Sequence, residues 1–130
     1  MEINELTGQI IGAAMRVHSA VGPGLLESVY RSCLHYELVQ VGLHVRAEYP
    51  IPVVYKDVKI DVGYRVDFLV EDLVLVELKA VVPMLPVHEA QLLSCVRMSD
   101  RPIGLLINFH VLHLRDGIRR MVNQLPRQSN

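Results

Sequence analysis

Asp67, Glu77 and Lys79 are the residues whose types and spacing bear most directly on chemistry. They lie in the stretch Gly63 to Ala80, two apolar runs separated by the acidic turn at Glu71-Asp72. Folded as an antiparallel hairpin centred on Asp72, this stretch sets Asp67 across from Glu77, Arg65 across from Lys79 and Leu69 across from Leu75. Side chains alternate between faces along a strand, so Glu77 and Lys79 share the side of Asp67. Tyr64, Val66, Phe68 and Val70 on one strand, with Val74, Val76, Leu78 and Ala80 on the other, make an opposite face that is apolar apart from one phenol. That face belongs to the core. Two carboxylates opposed on a sheet repel each other by roughly some tenths of a kcal/mol, and burial enlarges the penalty or forces one acid to keep its proton. A divalent cation between them turns repulsion into attraction. Oxygen donors suit Mg²⁺ or Mn²⁺, with the Leu78 backbone carbonyl as a third protein ligand and water completing the shell. Lys79 beside such an ion would orient a water or hold a phosphate.

Glu-x-Lys alone carries little information, since roughly one chain of this length in two contains it by chance. The plain alternative is an exposed salt-bridge face on an ordinary hairpin. Three features weigh against it: Glu77 and Lys79 interrupt an otherwise apolar strand, an acid lies at the matching hairpin position, and a helix follows after a short loop.

The elements that must position these residues follow from periodicity. Leu6, Ile10, Ala13, Ala14 and Val17 predict a helix over Asn4 to Val21, stopped by Gly22-Pro23-Gly24. A second helix is predicted from Leu26 to Val41, with Gly42 ending it. Leu43 to Tyr55 is rich in β-formers but holds Pro50 and Pro52, which suits an edge strand. Lys56-Asp57 reads as a turn, and Gly63 to Val70 and Leu73 to Ala80 read as strands. Val81 to Pro86 is a loop, and Pro86 to Met98 a helix with proline in its first turn. Ile103 to Phe109 fits a buried strand, and Leu114 to Leu125 reads as a short helix. No repeat or linker divides the sequence, so residues 1–130 are expected to form one mixed α/β domain, with 126–130 as a frayed tail.

Composition narrows the classes. Apolar residues make up 51% of the chain while aromatics make up 5% and Trp is absent, so the core must rest on Val, Leu, Ile and Ala. A short chain this apolar is expected to leave a patch suited to a homodimer. No apolar run approaches the ~18 residues of a bilayer span. The segment Met1 to Gln9 is acidic and polar, unlike a secretory leader. Cys33 and Cys95 are too few for a disulfide framework, and the expected location is cytoplasmic. Thirteen basic against 14 acidic residues leave a net charge of −1, so any phosphate-binding surface must be local.

Asp67, nine intervening residues and then Glu77-Leu78-Lys79 resembles the signature of the PD-(D/E)XK nuclease superfamily. Gly24-Leu25-Leu26-Glu27-Ser28-Val29-Tyr30 is similar to the motif that names the GxxExxY proteins, a family assigned to that superfamily. The resemblance continues through Val76 to Ala80, Pro86 to Leu93, Gly104 to Phe109 and Asp116 to Arg120, nearly the whole chain. It implies a restriction-endonuclease-like α-β-β-β-α-β core, here with an extra N-terminal helix. It also implies Mg²⁺-dependent phosphodiester hydrolysis of nucleic acid, with DNA favoured. Within it, Glu27 matches a helical acid that completes the metal site, where helix-dipole stabilisation is the plain alternative. Gln91 matches a glutamine that positions the lysine or a phosphate. Branches carrying that glutamine often show a tyrosine four residues later, where this chain has Cys95.

The remaining candidates carry less. His88 shares a helix face with Gln91 but is read as structural. His110 and His113 lack Cys or carboxylate partners and do not suggest zinc; His18, His35 and His44 suggest nothing. Arg115, Arg119 and Arg120, with Arg127, form the only clear basic cluster, a candidate contact for a phosphate backbone and equally a solvated helix end. The rival readings are a catalytically idle module that binds nucleic acid or a partner protein, and a homodimeric assembly protein.

Overall fold

The computed structural model describes residues 1–123, so the expected tail at 126–130 lies outside the described residues. Helix α1 (Ile3–Val21) buries Leu6, Ile10, Ala13, Ala14 and Val17, the stripe set by their helical spacing. It ends at Gly22, whose φ of 70° lets its N–H return to the His18 carbonyl at 2.8 Å. Helix α2 (Glu27–Gln40) follows after a short loop and buries Tyr30, Leu34 and Leu38. The Tyr30 hydroxyl donates to the Gly22 carbonyl at 2.5 Å and accepts from the Leu25 N–H at 3.1 Å. Its ring stacks on Phe109 with centroids 4.5 Å apart. Gly24, with φ of 101°, supplies the turn. Gly24 and Tyr30 thus shape and staple the loop that delivers Glu27 to the start of α2.

Among the described residues five strands form one sheet in the order β1-β2-β3-β4-β5. They are β1 (Val45–Tyr55), β2 (Val58–Val70), β3 (Val74–Lys79), β4 (Ile103–Asn108) and β5 (Ile118–Val122). Only β3 and β4 run parallel, and helix α3 (Pro86–Met98) makes the crossover between them. One face of the sheet gives Phe68, Val70, Val74, Val76 and Leu78 to a core with α1 and α2. The other gives Ile51, Leu69, Leu75 and Leu106 to a smaller core with Leu92, Cys95 and Val96 of α3. The segment α2-β1-β2-β3-α3-β4 is the expected α-β-β-β-α-β core, with α1 as the extra helix, and β1 takes the predicted edge.

Three expectations are corrected. The predicted tail helix at Leu114 to Leu125 is, within the described residues, a 3₁₀ turn (Leu114–Gly117) leading into β5. Every residue of β4 is buried, so its outer edge of N–H and C=O groups needs a partner, and β5 supplies the ladder from Ile103↔Val122 to Ile107↔Ile118. Strand β2 begins at Val58 rather than Gly63 and pairs with β1 as far as Tyr55↔Val58. Finally, Val66 and Tyr64 leave the face of Phe68: Val66 packs with Leu69 and Leu75 on the α3 side, and Tyr64 is exposed. The change falls where Glu48, between the pairs Ala47↔Phe68 and Tyr49↔Val66, adopts φ of 50° and turns the β1 backbone.

A Cβ on Gly117 would stand 2.2 Å from the Asn108 carbonyl oxygen, whereas one on Gly8 meets nothing within 4 Å. Gly117→Ala is therefore expected to destabilise the fold by about 2 kcal/mol or more, since backbone must move. Gly8→Ala, in the interior of α1, should stabilise it by about 0.5–1 kcal/mol. Urea denaturation of both variants checks the contrast.

Candidate active site

The β2–β3 ladder is regular from Val70↔Val74 to Phe68↔Val76, the register expected of a hairpin turning at Glu71-Asp72. At the next pair the carboxylates take over the main chain's role. The Asp67 N–H donates to Glu77 Oε1 at 3.1 Å, and the Leu78 N–H donates to Asp67 Oδ2 at 2.7 Å. The pairing of Asp67 with Glu77 is thus made by side chains on backbone, and the Arg65–Lys79 pair lies beyond the ladder.

Asp67 is 8% exposed, and its second oxygen accepts a hydrogen bond from Arg31 Nε of α2 at 2.6 Å. Arg31 Nη2 also lies 3.7 Å from Glu27 Oε1, one turn earlier on the same helix. The Asp67 hydrogen bond raises the pKa of the Arg31 guanidinium above its usual value, although burial opposes this. Glu27 therefore reaches the acids through Arg31. Arg31 is a site residue that sequence reasoning missed; its i,i+4 spacing from Glu27 was the available signal.

Burial, aided by the negative charge of Asp67, pushes the Glu77 carboxyl up to about 8. Lys79 Nζ, 3.8 Å from Glu77 Oε2, opposes the rise without cancelling it. Glu77 and Lys79 face a cleft of about 120 Å³ under α3, together with His88 and Gln91. The α3 residues His88, Gln91, Leu92 and Cys95 share one helix face, which brings Gln91 to the cleft. His88 also lines it while serving the fold, since its Nδ1 accepts the Leu85 N–H at 3.0 Å at the start of α3. That bond leaves Nε2 as the protonated nitrogen of the neutral ring. Burial, aided by the Glu77 charge, pushes the Cys95 thiol up to about 11, so it stays protonated.

Asn108 is the second residue that sequence reasoning missed. It is 3% exposed, accepts the Val81 and His110 N–H groups at 3.1 Å each, and donates to the Val81 carbonyl at 2.9 Å. Paired with Lys79 across the parallel ladder, it fixes the chain leaving β3. A polar residue ending an otherwise apolar strand was its signal.

Of the tail arginines, Arg127 lies outside the described residues, and Arg119 and Arg120 are not brought together. Arg119 lies 3.9 Å from Glu89 of α3, while Arg120 bonds Thr7 Oγ1 of α1 at 3.1 Å, so successive side chains of β5 leave by opposite faces. Arg115 precedes them in the 3₁₀ turn.

Among the described residues no three His, Cys, Asp or Glu side chains cluster as a ready metal cage. The donor set that does fit a hard cation is smaller: two carboxylates and the Leu78 carbonyl, with water for the remainder. Asp67 keeps acceptor capacity beside its two hydrogen bonds, and Glu77, raised to about 8 by burial and then by the Asp67 charge, is a carboxyl that a cation would favour in its charged form.

A family model described as the PD-(D/E)XK nuclease superfamily matches residues 4–121. The chain belongs to that superfamily. No curated protein and no solved structure matched it in the corresponding comparisons. PD-(D/E)XK proteins are usually nucleases that use divalent metals, and the Asp67…Glu77-Leu78-Lys79 series lies inside the matched span. No helix among the described residues is long and apolar enough to cross a membrane.

The raised Glu77 pKa has a stability consequence in metal-free protein. Its folded value of about 8 exceeds the ordinary carboxyl value of 4.5, so its contribution is fully present below pH 4.5 and is lost as pH rises through 8. Glu77→Gln removes that loss. Thermal melts in chelator should show the variant gaining on wild type between pH 5 and about 9, with the largest advantage at the alkaline end.

Proposed function

We propose that the protein hydrolyses phosphodiester bonds of nucleic acid with Mg²⁺ or Mn²⁺, DNA being the favoured substrate, as a cytoplasmic single-domain enzyme of the GxxExxY type. The observation that carries this reading is the pair of buried Asp67 and half-buried Glu77 at the open end of the β2–β3 ladder with Lys79 alongside. Asp67, Glu77 and the Leu78 carbonyl would hold the ion, which supplies charge neutralisation at the phosphate and acidifies a bound water. Lys79, on the cleft side of Glu77, orients the attacking water or holds the scissile phosphate. Gln91 reaches the same cleft and supports that phosphate from α3. Glu27 acts through Arg31, whose guanidinium fixes the Asp67 carboxylate so that its remaining lone pairs face the ion.

A second reading, a catalytically idle module that binds nucleic acid or a partner, is favoured by one observation. Arg31 already neutralises Asp67 as a resident cation would. Homodimerisation is compatible with both readings, and exposed Tyr36, Val39 and Val41 on and after α2 are its candidate surface.

Two measurements separate the readings. Cleavage of single- and double-stranded DNA and RNA should require Mg²⁺ or Mn²⁺ and fall about 100-fold or more in Asp67→Ala, Glu77→Ala and Lys79→Ala. Equal residual activity in wild type and all three variants would assign the signal to a contaminant. Because Glu77 titrates near 8, ion binding at pH 7 must displace its proton. Mn²⁺ calorimetry in buffers of different ionisation enthalpy should report close to one proton released per ion at pH 7, and much less at pH 9.

A further inference from the structure

Strand β3 pairs with β2 only between Phe68 and Val70, while β1 accompanies β2 down to Tyr55↔Val58. The β1–β2 hairpin therefore runs on past the sheet as a two-stranded arm, starting where Glu77 and Lys79 face their cleft. Its register shifts between Ile51 and Val53. Opposite that shift stands Gly63, where a Cβ would fall 1.8 Å from the Ile51 carbonyl oxygen. The irregularity opens a groove of about 420 Å³ lined by Pro50, Pro52, Lys59, Tyr64 and Arg65. Tyr64 and Arg65 line the Glu77–Lys79 cleft as well, so the two spaces share a wall.

The groove's chemistry is distinctive. Arg16, Arg31, Arg46, Arg101 and Arg119 each lie within 3.9 Å of a carboxylate. Among the described residues the Lys59 and Arg65 side chains make no hydrogen bond or ion pair, and both residues are exposed. Between them Tyr64 is 44% exposed. Cations free of internal partners beside an open aromatic ring are the combination by which single-stranded nucleic acid is held, through its phosphates and through base stacking. A duplex covers the faces of its bases and offers Tyr64 nothing to stack on. Pro50 and Pro52 remove two N–H donors from the edge strand, which disfavours an added peptide strand as the occupant.

We infer that this groove is a subsite for single-stranded nucleic acid, in which Arg65 and Lys59 hold phosphates and Tyr64 stacks on a base of the strand flanking the scissile bond. The inference rests on the nucleic-acid reading of the neighbouring cleft, yet it needs no metal. In metal-free buffer, fluorescence anisotropy with labelled DNA and RNA oligonucleotides of about 12 nucleotides, single-stranded and duplex, reads it directly. Wild type should prefer single strands. Lys59→Ala/Arg65→Ala should weaken single-strand binding about tenfold or more and lower the slope of log affinity against log salt by about 1.4. Tyr64→Leu should weaken binding with the salt slope unchanged, and Arg65→Lys should retain most of it. All these side chains are exposed, and melting curves confirm that each variant folds. Mn²⁺ uptake should be the same in every variant. Single-strand affinity unchanged in the double variant, a wild-type preference for duplex, or no binding by wild type would each overturn the subsite. Groove-dependent binding in a protein that takes up no Mn²⁺ would leave the subsite standing and remove the hydrolytic reading. Mn²⁺ uptake with groove-independent binding would remove the subsite alone.

Discussion

Two carboxylates that would repel each other, Asp67 and Glu77, are held together at the place where β2 and β3 stop pairing. Each accepts a main-chain N–H of the region, and one of them also accepts a guanidinium. A regular ladder would have left those N–H groups to carbonyl oxygens and pushed the side chains apart on the sheet surface. Substituting side-chain oxygens for carbonyl oxygens keeps buried Asp67 and half-buried Glu77 near each other. The remaining strain is visible in Glu77, which burial and its neighbour hold near pH 8. Charge repulsion stored in this way is what a divalent cation relieves, and the account of the site depends on it.

The rest of the fold can be understood as what keeps that arrangement in place. Tyr30 staples the loop before α2 and stacks on Phe109 at the end of β4, which anchors the helix that carries Glu27 and Arg31. Asn108 bonds both main-chain groups of Val81 and so fixes the exit from β3 just past Lys79. Helix α3 lies close on β4, where a Cβ on Gly104 would meet Val96 Cγ2 at 2.8 Å, and this close approach holds Gln91 and His88 over the cleft. Both faces of the sheet are packed, so the acids rest on a rigid support and not on loops.

Much of this was legible in the sequence because the signals were periodic or local. The register of the β2–β3 hairpin followed from one acidic turn, the start of α3 from a proline, and the edge position of β1 from two prolines. What was not legible depended on partners distant in sequence. Arg31 meets Asp67, 36 positions along the chain, only after α2 packs on the sheet. Strand β5 has a helix-compatible pattern and becomes a strand because buried β4 needs a second neighbour. Val66 changes face because of a backbone turn at Glu48, on the other strand of the pair. Alternation along β2 alone carried no trace of it. The arm beyond Phe68 was missed for a related reason, since its polar residues blur the strand pattern without breaking it.

The most direct test of the central claim is an anomalous difference map from a crystal soaked in Mn²⁺ at about pH 8, where the Glu77 proton is readily lost. The account predicts one strong peak coordinated by Asp67, Glu77 and the Leu78 carbonyl, with Lys79 beside it. A map without a peak there, with Asp67 still bonded to Arg31 and Glu77 still protonated against it, would contradict the account.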